Sequence, residues 1–302
     1  MATADSMPPP ATERYGEVFD RGYAHYTGDR LGRRQAVRSL MLYSMKRAMG
    51  IRKSWTAKIL PILLYVSAIV PLIIFIGLSA IVPDIEFATY SGYMSAIFLV
   101  VGIFVATTAP EMLCVDRRER TLPLYFSRAI TRLDYVIAKV IAMTLLTMTL
   151  SVIPSVLLWL GQQLVSDAPM TAMRDNIGDL GRVLLIGTLI ALVLGTGGLA
   201  ISSLTDRKAV AVTVIIIGFI ILTAIGNSGW ELLNEEEWAR YFVFLSLSDS
   251  FLGFSDHLFD DVTPQFATDA NIPLWGYLAF FAAVVATSLL ILRWRYRPTD
   301  DA

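Results

Sequence analysis

At 302 residues, 55% apolar and with a mean hydropathy of +0.58, the chain is too apolar for an ordinary soluble domain, which holds about 45–50% by such a count. A net charge of −1 supplies no field for nucleic acid. The single cysteine, Cys114, excludes an internal disulfide and a cysteine-based zinc site within one chain.

Residues Met1–Thr12 are small, polar and proline-rich and predict a disordered tail. No basic segment there leads at once into an apolar core, so the start is not read as a signal peptide. The first apolar run, from Ile59, is read as a retained span. Between Glu13 and Lys58 arginine and lysine dominate. Within that stretch Val37, Leu40, Met41 and Met45 recur at helical spacing, while Arg34, Arg38, Lys46 and Arg47 take other positions. The pattern predicts an interfacial helix whose apolar stripe rests in the headgroup boundary and whose cations meet anionic membrane lipids. The alternative is a surface helix packed on a partner protein.

Six apolar runs follow, Ile59–Val82, Ser91–Pro110, Val140–Val165, Val183–Leu204, Ala209–Ile225 and Ile272–Leu292. Each is long enough, or nearly so, to cross the hydrocarbon core as a helix. The loops between them alternate in charge. The N-terminal segment, the stretch 111–139, the turn Asp206-Arg207-Lys208 and the tail with Arg293, Arg295 and Arg297 are basic. The loops 83–90, 166–182 and 226–271 are poor in cations and rich in carboxylates. Positive loops stay inside, so both termini are placed in the cytoplasm and the chain in the cell (inner) membrane. The expected fold class is therefore all-α, a polytopic membrane protein with six transmembrane helices. Residues 1–58 form the cytoplasmic tail and interfacial helix, 59–293 the six-span domain and 294–302 a second cytoplasmic tail. The outer segment 226–271, with Trp230, Trp238, Tyr241, Phe242, Phe251 and Phe254, predicts short helices that dip toward the interface or cap a path. The alternative is an aromatic belt that anchors the outer ends.

The stretch Glu111–Lys139 is too long and too apolar for a plain turn. It mixes Arg117, Arg118, Arg120, Arg128 and Arg132 with Asp116, Glu119 and Asp134, and sets Leu122, Leu124, Tyr125, Phe126, Ile130 and Leu133 between them. That reads as one or two short amphipathic helices at the inner face, broken near Pro123. Its order of residues resembles the first cytoplasmic loop of type-2 ABC exporter permeases. There the pattern runs roughly Glu-Arg-x-x-Gly-Thr-Leu, then Pro-(Ile/Val)-Ser-Arg, then Gly-Lys. Here Asp116 stands for the Glu, Arg120 for the Gly, Tyr125-Phe126 for the Pro-(Ile/Val), and Ala138 for the Gly before Lys139.

The resemblance implies a cytoplasmic coupling helix between spans two and three. Its residues Asp116, Arg117, Arg118, Glu119, Arg120, Thr121, Leu122, Leu124, Tyr125, Phe126, Arg128 and Arg132 would meet an ATP-binding cassette ATPase subunit. It also implies a second permease copy, in a homodimer or a heterodimer, and export as the direction. ATP and Mg would then belong to the partner subunit, with no cofactor in this chain.

The residues themselves agree with a chain that has no engine. Its lysines follow Met45, Arg52, Ala57, Ala138 and Arg207, so no Gly-Lys pair exists for a phosphate-binding Walker A loop. No catalytic or metal constellation is visible: His25 and His257 lack a ligand set, and Glu235-Glu236-Glu237 lacks calcium-loop spacing. The six runs contain no Asp, Glu, Lys, Arg or His, whereas ion-coupled carriers place such groups at membrane depth. Gly187, Ala191 and Gly195 form a small-residue packing face, toward another span or a second copy. Thr144, Thr147, Ser151 and Ser155 form a polar stripe, which lines a path or bonds its own helix. The reading is a permease subunit driven from outside the bilayer. Its rivals are a membrane scaffold or assembly factor without a transport cycle, and a passive channel.

Overall fold

A computed structural model of the chain describes residues 32–51, 54–81, 89–127, 130–166, 168–233, 236–259 and 270–297. The N-terminal tail, His25, Arg128, Glu235 and most of the loop 83–90 lie outside these residues. Among the described residues every regular element is helical. They are α1 (Arg33–Ala48), α2 (Thr56–Ile81), α3 (Tyr90–Arg118), α4 (Leu122–Phe126), α5 (Arg132–Val165), α6 (Pro169–Asp175), α7 (Ile177–Ser203) and α8 (Lys208–Leu233). A 3-10 helix (Glu237–Phe244), α9 (Leu247–Phe259) and α10 (Leu274–Arg295) complete the order. Helices α2, α3, α5, α7, α8 and α10 are long and apolar enough to cross a bilayer.

Two of these helices outrun the apolar stretches that announce them. α3 continues past Pro110 to Arg118, and α5 begins at Arg132 rather than Val140. At 1.5 Å per residue α3 is about 43 Å long, against a hydrocarbon core of about 30 Å. The stretch Glu111–Lys139 is therefore mostly two helix ends. Among its described residues only α4 is a separate helix, and Pro123 sits in its first turn, starting it rather than breaking it. A capping box fixes where α5 starts. The Asp134 amide donates to Thr131 Oγ1 at 3.2 Å and the Thr131 amide donates to Asp134 Oδ2 at 2.9 Å.

α3, α5 and α7 form the centre of the bundle. Lipid tails are as apolar as leucine, so close backbone contact and interhelical bonds hold such helices together. The face made by Gly187, Ala191 and Gly195 meets α5 of the same chain. A Cβ on Gly187 would lie 2.9 Å from Val152 Cγ2 and 3.3 Å from its Cα. Ser151 Oγ crosses that seam to donate to the Gly187 carbonyl at 2.8 Å. Elsewhere in the hydroxyl stripe Thr147 bonds the Met143 carbonyl and Ser155 the Ser151 carbonyl on their own helix, while Thr144 Oγ1 is buried without a hydrogen-bond partner among the described residues.

α1 departs from expectation. The stripe of Val37, Leu40, Met41 and Met45 packs on the hydrophobic core of the bundle, where α1 lies against α5 and α3. Leu40 and Ala48 are buried, while Leu42 and Tyr43 take the open side. The same spacing serves either purpose. Arg47 fixes α1 on the bundle, because its partners Asp116 and Glu111 are on α3 and Glu119 caps it.

The segment after α8 folds back on it. The 3-10 helix runs along the end of α8, where Gly226 and Gly229 leave room for Phe242 and Ser246. α9 then returns between α3 and α10. Phe251 stacks on Phe281 at 4.2 Å and tilts on Phe98 at 5.5 Å. Near the other end of α9, Ser255 Oγ donates to Ser91 Oγ at 3.2 Å. Leu247, at the hairpin tip, borders an apolar cavity of about 370 Å³ with Leu99, Gly102, Gly197, Gly218 and Phe219. The segment is thus a helical hairpin inserted among the spans, rather than a belt around their ends.

Candidate functional site

The basic ends of α3 and α5 enclose a charge network that sequence spacing alone does not reveal. Asp116 is fully buried. Its carboxylate accepts from Arg47 Nη1 at 2.7 Å, pairs with Lys139 Nζ at 2.7 Å, and accepts from the Tyr135 hydroxyl at 2.9 Å. Lys139 also donates to the Met112 carbonyl at 2.9 Å. One turn deeper on α3, Glu111 Oε2 accepts from Lys208 at 2.7 Å, and Glu111 lies 3.8 Å from Arg47. Arg47 also reaches Glu119 at 3.1 Å. Three carboxylates thus face Arg47, Lys139 and Lys208, and the balance makes the burial tolerable. Burial works against the Arg47 charge, but Asp116 and Glu119 outweigh it, so its guanidinium is held protonated more firmly than usual.

The network joins pieces that are distant in the chain. Arg47 brings in α1, Lys139 the start of α5, and Lys208 the start of α8. Arg117 pairs with Asp206 at 2.8 Å and donates to the Ser203 carbonyl, which ties in the end of α7. Arg295 Nε reaches the same carbonyl at 3.2 Å, and Arg33 forks onto Asp134 with two bonds of 2.8 Å.

α4 stands on this base. α3 ends in a Schellman turn: the Thr121 amide donates to the Asp116 carbonyl at 3.0 Å and the Arg120 amide to the Arg117 carbonyl at 3.1 Å. The turn requires Arg120 in the left-handed region, at φ 51°, the position where the type-2 loop pattern carries glycine.

The residues singled out for docking divide into two sets. Arg118, Glu119, Arg120 and Leu124 are exposed, Leu124 at 67%. Leu122, Tyr125 and Phe126 are half-buried against the core, both rings 6.0 Å from that of Tyr135. Thr121 Oγ1 donates to the Asp116 carbonyl at 3.1 Å. Arg132 lies over the Phe126 ring at 5.5 Å and donates to the Arg297 carbonyl at 2.6 Å. Asp116 and Arg117 face inward, and Arg128 is outside the described residues. The arrangement is an exposed tip, α4, whose Tyr125 and Phe126 rest on Tyr135 of α5, beside ion pairs and hydrogen bonds that tie together the ends of α1, α3, α5, α7 and α8. Sequence reading missed Arg47, Glu111, Lys139 and Lys208 as members. The available signal was a carboxylate and a lysine just outside two apolar runs.

The family model for the ABC-2 family transporter protein matches residues 83–292, a stretch that contains α3 to α9, most of α10 and the charge network except Arg33, Arg47 and Arg295. No curated protein matches the chain.

Proposed function

The chain belongs to the ABC-2 family of transporter proteins, and from that premise we propose that it is the permease of an exporter, worked by a separate ATPase subunit that docks on α4. As a membrane component of an ABC transporter it implies an ATP-binding partner. ATP and Mg2+ are bound and turned over there, since this sequence has no Gly-Lys pair for a Walker A loop.

The observation that carries the docking reading is the two-sidedness of α4. Leu124 stands out at the tip with Arg118, Glu119 and Arg120 beside it, while Tyr125 and Phe126 press on Tyr135. An apolar knob ringed by charge suits a groove on a soluble partner. Closure of the ATPase dimer then pushes α4. The Asp116–Lys139–Arg47 network passes the displacement to the spans as a unit, switching them between inward- and outward-open states.

The basic end, α4 included, lies in the cytoplasm by the positive-inside rule, with both termini on that side of the inner membrane. A second permease copy covers part of the outer spans. α8 is only 11% buried over its apolar window, and it offers Ile217, Ile220, Ile221 and Ile225 outward.

Leu124→Cys tests the docking face. The native Cys114 is buried, so a membrane-impermeant maleimide should report the new thiol alone. We expect labelling from the cytoplasmic side, blocked by prior addition of the ATPase subunit. Labelling from the outside, or no protection by the ATPase, contradicts the reading.

A further inference from the structure

We propose that the cleft between α4, the start of α5 and the end of α10 binds an anionic phospholipid, its phosphate among the arginines and an acyl chain along Leu133 and Val136. Two hollows meet there. The first, about 510 Å³, is walled by Arg117, Arg132, Arg295 and Arg297 with Phe126 and Tyr296. The second, about 550 Å³, shares Arg132, Tyr296 and Arg297 and adds Arg293, Leu133 and Val136. Arginines from α3, the start of α5 and the end of α10 thus line one concavity, and Leu133 and Val136 line its continuation.

Among the described residues their charge is only partly balanced. Among the described residues, the one ion pair that engages these arginines is Arg117 with Asp206 at 2.8 Å. Arg132 and Arg295 spend bonds on the neutral carbonyls of Arg297 and Ser203, which fix the guanidiniums in place without neutralising them. A phosphate supplies both the missing charge and the oxygen geometry that arginine prefers.

The surroundings select a lipid over a protein carboxylate. Leu133 is 56% exposed and Trp294 is 64% exposed, and an outward tryptophan at a span end marks headgroup level. The proposed ATPase knob, Leu124, is not part of either hollow. The apolar continuation separates a phospholipid from free phosphate, which has nothing to place there. Basic pockets between span ends are a recurrent way of holding anionic headgroups. The inference needs only that this end lie at a leaflet surface; it stands without the ATPase.

The test is native mass spectrometry of the full purified chain in detergent, titrated with short-chain phosphatidylglycerol, phosphatidylcholine or inorganic phosphate. We expect one phosphatidylglycerol per chain to be retained, phosphatidylcholine not to match it, and inorganic phosphate not to displace it. Paired substitution Arg132→Gln and Arg297→Gln should weaken binding roughly tenfold or more. The Arg132→Lys, Arg297→Lys pair should keep most of it, and Arg174→Gln on α6 should leave it unchanged. Should the glutamine pair fail to fold, the wild-type lipid comparison and the lysine pair decide. Equal retention of phosphatidylcholine, an adduct untouched by the glutamine pair, or full displacement by phosphate overturns the proposal. So does a folded glutamine pair that loses the ATPase subunit in pure phosphatidylcholine nanodiscs, since the cleft is then a protein contact.

Discussion

Asp116 is the residue on which the basic end balances. Its carboxylate serves Arg47, Lys139 and Tyr135 at once and sees no solvent. Asp116→Asn should cost about 3 kcal/mol or more, because it leaves two buried cations short of a partner; a thermal melt in detergent reads it directly. Leu124→Asp, at an exposed tip, should move the same melt by less than about 0.5 kcal/mol. Arg120 holds φ 51° in the turn after α3, and Arg120→Gly should raise stability by about 1 kcal/mol by relieving the left-handed backbone. The need for glycine there was legible, since the type-2 pattern has one at that position. The pairing of Asp116 with Arg47 was not, because the two are joined only by tertiary structure. Tyr296 carries a pH prediction. Burial, opposed by Arg117 and reinforced by Asp116, pushes its hydroxyl up to about 12 from an ordinary value of 10.0. A raised pKa contributes stability in full below pH 10, and that contribution is lost as pH climbs toward 12. Tyr296→Phe should flatten this alkaline loss in a melt-versus-pH series.

At the scale of elements, the six spans were readable because runs of about 20 apolar residues have few other uses. Their true ends were not. A reading of the sequence stops a span at the first charge, since a lone charge in hydrocarbon is costly. Glu111, Asp116 and Lys139 escape that cost by meeting one another and Arg47 and Lys208. The α1 stripe shows a second limit: helical periodicity reveals that a face is buried, but not whether lipid or protein buries it. The aromatic spacing of 226–271 likewise announced helices without their depth. The α5–α7 seam offers a direct check. A Val at Gly187 would push on Val152 and disturb the Ser151 bond to the Gly187 carbonyl. Gly187→Val should therefore cost about 1–3 kcal/mol, measured by the same melt. Gly102→Ala, which meets nothing within 4 Å, should be nearly silent.

For the whole molecule the account is that of a passive gate with a handle. The sequence has no Gly-Lys pair, and α4 follows the charged end of α3. On the proposed reading, force applied at Leu124 passes through Tyr125 and Phe126 to Tyr135, which bonds Asp116 at the centre of the ion pairs joining α1, α3 and α5. The most direct measurement is ATP hydrolysis by the ATPase subunit co-reconstituted with the full chain in vesicles, comparing wild type with Leu124→Asp and with Asp116→Asn. The account predicts that wild-type permease stimulates hydrolysis. Leu124→Asp should abolish both stimulation and complex formation while the bundle melts as wild type. A folded Asp116→Asn should still bind the ATPase but lose most of the stimulation. Undiminished stimulation by Leu124→Asp, with the complex intact, would contradict it.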